Sequence, residues 1–117
     1  MKILLDLNVF LDSLLQRAPW NQASDELLKR AEMGEITIAF SALSVANLYY
    51  IARKVFGSDR MRHEIHLVLN SFDIVTVDRN VLLMAASLPG SDFEDDIQCA
   101  VAILKGLDCH ARCSRIR

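Results

Sequence analysis

Cysteine is scarce in this chain. Cys99, Cys109 and Cys113 are few and odd in number, which argues against a disulfide framework and makes a reducing cytoplasm the expected setting. No apolar run approaches the ~20 residues of a membrane span, so no membrane partner is expected. Only Lys2 precedes a very short apolar stretch at the start, so no secretory signal is read there. Positive charge is not in excess: 13 Lys and Arg stand against 15 Asp and Glu, a formal net charge of −2. That excludes a global basic field for holding a long nucleic acid, so an RNA would have to be gripped by local contacts or a bound cation. Repeats, linkers and low-complexity segments are absent. Proline and glycine occur only two and four times, at Pro19, Pro89, Gly34, Gly57, Gly90 and Gly106. Each falls where an element is read to be interrupted or to stop.

What is present is apolar and periodic. With 117 residues and 52% hydrophobic content, one folded domain over 1–117 is expected and disorder is not. Residues 2–6 read as a strand, and Val9, Phe10, Leu14 and Leu15 as one face of a first helix. Residues 21–33 read as a second helix. Ile36 to Phe40 are β-branched and apolar, a second strand. A third helix is capped by Ser41 or Ser44 and runs to about Phe56; a fourth runs from Ser58 to about Phe72. Residues 73–77 read as a third strand, 78–88 and 92–105 as two more helices. Strands alternating with helices imply an α/β fold, a parallel sheet covered on both faces. After Gly106 a further strand is due, but Leu107 to Arg117 has little strand character, so a missing or altered last strand is expected.

Two groups of acids stand out. Asp6 closes the first apolar run, at the carboxyl end of a buried strand, where open α/β sheets place their ligands. A charge there needs pairing, hydrogen bonds or a metal. The second group is Asp92, Glu94, Asp95 and Asp96, opening the last helix. Ser91 and Glu94 have the spacing of a capping box, and acids in a first turn are favoured by the helix dipole, so capping alone accounts for part of it. Four acids in five residues exceed what capping needs, and they repel unless solvated or bridged by a cation. Asp92 and Asp95 share a helix face. If that helix starts near the end of the first strand, Asp6 and Asp95 converge, and hard oxygen ligands of this kind suit Mg²⁺ or Mn²⁺. Asn8, in the strand-to-helix turn, reads on its own as a local Asx bond or cap. Asn47, inside an apolar helix, is either a satisfied core hydrogen bonder or a site residue.

Three segments in order, Lys2-Ile3-Leu4-Leu5-Asp6-Leu7-Asn8-Val9, Ser41 to Ile51, and Asp92-Phe93-Glu94-Asp95-Asp96-Ile97-Gln98, resemble the PIN-domain family of ribonucleases, which includes the VapC-type toxins of bacterial toxin–antitoxin pairs. The resemblance spans residues 1 to about 108. It implies a three-layer sandwich with a small central parallel sheet flanked by helices, and Mg²⁺- or Mn²⁺-dependent hydrolysis of RNA phosphodiesters. By resemblance Asp6 and Asp95 match the first and third acidic positions and hold the metal, Asp92 or Glu94 contributes from the outer shell, and Asn8 orients. Asn47 falls where many members carry Glu, as in one similar branch of the family. The family's Thr-Arg-Asn and later Asp have no match in 109–117, so the tail reads as truncated or divergent and a second metal is unsupported. The implied partners are RNA, an antitoxin protein and, through an uncovered sheet edge, a second copy in a homodimer or larger oligomer. The alternative function is a catalytically degenerate PIN fold acting as a binding or oligomerisation module. A phosphotransfer domain with Asp6 as nucleophile lacks the second acid at Asn8.

Other residues carry less. Cys109, His110 and Cys113 are three close ligands with no fourth, a poor zinc set. His63 and His66 lack the spacing of a helical zinc motif. Arg53, Lys54, Arg60 and Arg62 form a basic cluster that reads as surface, with RNA phosphate contact as the sharper option. Trp20, Tyr49 and Tyr50 read as packing groups.

Overall fold

The computed structural model describes residues 2–90 and 92–110. Four parallel strands form its sheet: β1 (Lys2–Leu5), β2 (Thr37–Ser41), β3 (Asp73–Val75) and β4 (Asp108–His110), in the spatial order β3-β2-β1-β4. Six helices connect them: α1 (Leu7–Leu14) and α2 (Asn21–Glu32) follow β1, α3 (Ala42–Phe56) and α4 (Ser58–Ser71) follow β2, and α5 (Arg79–Ser87) and α6 (Phe93–Lys105) follow β3.

Strand order dictates the layers. The chain steps from β1 to β2 to β3 in one direction, then returns across the sheet to place β4 on the far side of β1. Right-handed crossovers put helices made on the outward path and on the return path on opposite faces. Packing follows this rule. Ile3, Leu5, Ile38 and Phe40 point into a core shared with Val9, Leu11, Leu27, Leu48, Met61 and Val68 of α1–α4. The alternate residues Leu4 and Ala39 point the other way, onto Val81 and Ala85 of α5 and Ile97, Ala100 and Val101 of α6. A buried Leu or Ile of this kind stabilises by about 1.5–3 kcal/mol. Phe10, Phe40 and Phe72 meet edge-to-face at 5.2–6.1 Å, tying α1, β2 and the end of α4 together. The three-layer α/β sandwich expected from the sequence is therefore the fold.

Three expectations are corrected. The third strand ends at Val75, two residues early. A strand does form after Gly106: β4 pairs Asp108 with Ile3 and Cys109 with Leu4, so the edge of β1 is covered by a short strand. Parallel pairing is a backbone interaction and forms there without the β-branched residues that mark a strand in sequence. The capping role given to Ser91 belongs to Asp92, whose carboxylate accepts from the backbone N–H of Glu94 at 2.9 Å and of Asp95 at 3.5 Å; Ser91 lies outside the described residues. Residues 111–117, with Cys113, also lie outside them.

Candidate active site

The strand order reverses at β1, which has β2 on one side and β4, reached by the long return, on the other. Open parallel sheets hold ligands in the crevice beyond the carboxyl ends of their strands at such a switch point. Asp6 is the first residue past β1 and the N-cap of α1, its Oδ2 accepting from the backbone N–H of Asn8 at 3.1 Å. It is 7% exposed, a carboxylate held at the base of the crevice rather than on the surface.

The neighbouring elements supply the walls. Ser41 ends β2 and caps α3, its Oγ accepting from the Ser44 N–H at 3.1 Å and meeting the Ser44 Oγ at 3.0 Å. One turn further along α3 comes Asn47. The Asp92 cap starts α6, whose third residue, Asp95, is half-buried. The result is a small cleft of about 110 Å³ lined by Asp6, Asn8, Asn47, Asp92, Glu94 and Asp95, together with Leu7, Ser41, Leu43, Ser44, Ile51 and Gln98. All six residues singled out in the sequence thus line one cleft. Asp96, the fourth acid of the late cluster, is absent from it and is buried against Gly90.

Gln98 escaped the sequence reading. It stands three residues after Asp95, one helical turn along the same face, a spacing that could have marked it. Its Nε2 donates to the Leu5 carbonyl at 3.5 Å, joining α6 to the end of β1. Asp12 also escaped. It is fully buried in α1 and pairs with the Arg17 Nε at 3.2 Å, a structural ion pair outside the cleft.

The chain matches a PIN-domain model over residues 2–109. It belongs to the PIN-domain family. Two solved structures share the PIN fold with it. The VapBC2 complex of Rickettsia felis, bound to a DNA fragment from its promoter, superposes with a TM-score of 0.65 at 17% identity, covering 99% of this chain and 93% of the other. VapC20 of Mycobacterium tuberculosis, a toxin that cleaves the sarcin-ricin loop, superposes with a TM-score of 0.71 at 13% identity, covering 93% and 88%. No curated protein matches the sequence.

Among the described residues, no three His, Cys, Asp or Glu side chains are grouped to hold a metal by themselves. What the cleft offers is the carboxylates of Asp6, buried, and Asp95, half-buried, with those of the exposed Asp92 and Glu94 and the amide of Asn47 beside them, all hard oxygen donors. Mg²⁺ is commonly held by one or two carboxylates and keeps several waters, whereas Ca²⁺ takes six to eight oxygens. The set therefore fits an open Mg²⁺ or Mn²⁺ site and not a closed cage. Among the described residues, no basic side chain lines the cleft. Arg53, Arg60 and Arg62 lie over aromatic rings, with Arg53 5.2 Å from the Tyr50 centroid, Arg62 5.5 Å from Tyr49 and Arg60 4.3 Å from Phe56. His63 and His66 are exposed on α4. No described helix is long and apolar enough to cross a membrane.

Proposed function

We propose that this PIN domain is an Mg²⁺- or Mn²⁺-dependent ribonuclease and the toxin of a toxin–antitoxin pair. The observation that carries the reading is the convergence of Asp6, just past the first strand, and Asp95, in the last helix, in one small cleft at the sheet's switch point.

Asp6 and Asp95 are the metal-holding carboxylates of this reading, with Asn47 completing the set through its amide oxygen and Asp92 and Glu94 acting from the rim. A bound cation would acidify a water for in-line attack on a phosphodiester and offset charge on the phosphate oxygens. The chain's own contribution is placement. The cap bond from Asn8 N–H fixes the Asp6 carboxylate, and the cap at Asp92 fixes the first turn that presents Asp95. Among the described residues the lining carries acids and no bases, so a bound cation would favour a polyanion there. The antitoxin partner is supported by likeness in fold to the VapBC2 complex. Association with a second copy is supported by apolar side chains exposed on α3 (Tyr50, Val55), α5 (Leu83) and α6 (Ile103), since β4 covers the edge first expected to drive it. The setting proposed is the cytoplasm.

The test is cleavage of structured RNA by the purified chain with Mn²⁺, Mg²⁺ or chelator. Metal-dependent cleavage by the native chain and none by Asp6→Asn is the expected result. No cleavage with either metal would favour the second reading, a degenerate binding module, for which the neutral Asn47 in the cleft speaks.

A further inference from the structure

Gln98 has half of its amide engaged and half not. The residue is 7% exposed and lines the cleft with Asp6 and Asp95. Its Nε2 donates to the Leu5 carbonyl at 3.5 Å. That bond settles the orientation of the amide, because a carbonyl can only accept, so the nitrogen must face it and the oxygen must face elsewhere. The Oε1 atom is buried and, among the described residues, receives no hydrogen bond. Buried acceptors left this way are costly and uncommon, so each calls for a physical role such as holding a ligand. The charged neighbours in the cleft cannot supply the donor: Asp6, Asp92, Glu94 and Asp95 only accept when ionised.

We infer that Gln98 is a positioning residue of the cleft, its Oε1 accepting a hydrogen bond from a water carried by the divalent cation that Asp6 and Asp95 hold. The inference rests on the metal-site reading above and adds a residue to it. A cation held by two carboxylates retains several waters, and each is a strong, polarised donor. Gln98 is suited to select one of them because its other end is fixed to Leu5, the residue before Asp6. One amide thereby registers the α6 carboxylate, the β1 carboxylate and the bound water against each other. Orientation from outside the coordination sphere is the way such groups act on metal sites.

The experiment is Mn²⁺ titration of the full chain by calorimetry, with thermal unfolding in the presence and absence of Mn²⁺. The variants are Gln98→Leu, which keeps the approximate shape without hydrogen bonding, Gln98→Glu, which keeps an acceptor oxygen, and Asp6→Asn. We expect Gln98→Leu to weaken Mn²⁺ binding by roughly 10- to 100-fold and to shrink the Mn²⁺-induced rise in Tm. Gln98→Glu should bind Mn²⁺ at least as tightly as the native chain although it loses the bond to Leu5. A purely structural glutamine predicts the opposite: both variants lower the metal-free Tm and both leave Mn²⁺ affinity unchanged. That result overturns the inference alone. If Gln98→Leu does not fold, Gln98→Glu decides, since weakened binding in the folded Glu variant also overturns it. A native chain that binds no Mn²⁺ overturns the metal-site reading and this inference with it.

Discussion

Gly90 lies against the carboxylate of Asp96 so closely that a Cβ at position 90 would stand 2.7 Å from its Cγ and 2.8 Å from its Oδ2. Asp96 is buried and short, so it cannot swing aside as a long surface side chain would. Position 90 stands just before the Asp92 cap, so a shift there is expected to carry the start of α6 and Asp95 with it. Gly90→Ala is therefore expected to destabilise by about 1–3 kcal/mol through overpacking, measured by urea unfolding, and to lower Mn²⁺ affinity as well. An unchanged unfolding midpoint would show that the loop yields freely.

Asp6→Asn separates chemistry from folding. Asn caps helices about as well as Asp, so α1 should keep its start and the unfolding midpoint should move little. Metal-dependent cleavage should fall by more than the roughly 100-fold that loss of even an outer partner of a metal site can cost. Cleavage at native rate in a folded Asp6→Asn protein would remove Asp6 from the site.

Asn47→Glu should tighten Mn²⁺ binding by adding a carboxylate to a cleft that already offers those of Asp6 and Asp95. Without metal the same change should lower Tm, because clustered carboxylates repel when no cation lies between them. Thermal unfolding with and without Mn²⁺ reads both signs at once, and a variant stabilised in chelator would contradict the arrangement.

The Asp12–Arg17 pair gives a stability prediction away from the cleft. Asp12 is fully buried and Arg17 about one-third exposed. Arg17→Met takes the cation from a buried carboxylate and should cost on the order of 3 kcal/mol by chemical denaturation. The double variant Asp12→Leu with Arg17→Met removes both charges and should regain most of that loss. A double variant no more stable than Arg17→Met would refute the account.

Asp78→Ala serves as a contrast. Its Oδ1 accepts from the Val81 N–H at 3.0 Å and caps α5. Losing the cap should cost about 1 kcal/mol. Since α5 contributes nothing to the cleft lining, Mn²⁺ affinity should be unchanged.

The fold was largely legible because its signals are local. Apolar runs at Ile3–Leu5 and Ile36–Phe40, helix stripes, and stops at Gly34, Gly57 and Gly106 each mark an element within a few residues. The two halves of the cleft were legible for the same reason, as a charge ending a strand and a crowd of acids opening a helix. Their meeting was a conditional in the sequence and needed the strand order to become a place. β4 was not legible: its three residues are held by pairing to β1, and pairing leaves no trace in side-chain pattern. Asp12 looked like an ordinary polar face residue, since nothing local reveals that Arg17 returns to it across the end of α1. Gln98 is a common residue on a helix, and its importance lies in the carbonyl it reaches 93 positions earlier.

That long return has a consequence for synthesis. A ribosome delivers β1 well before α6, so Asp6 waits through some ninety residues for Asp95. Contacts this remote in sequence form late. The nascent chain can bury Ile3 and Leu5 against α1–α4 well before the acids are brought together, because that core draws on residues no later than Ile74. A partly made molecule that stops short of α6 therefore carries a folded body and no assembled cleft.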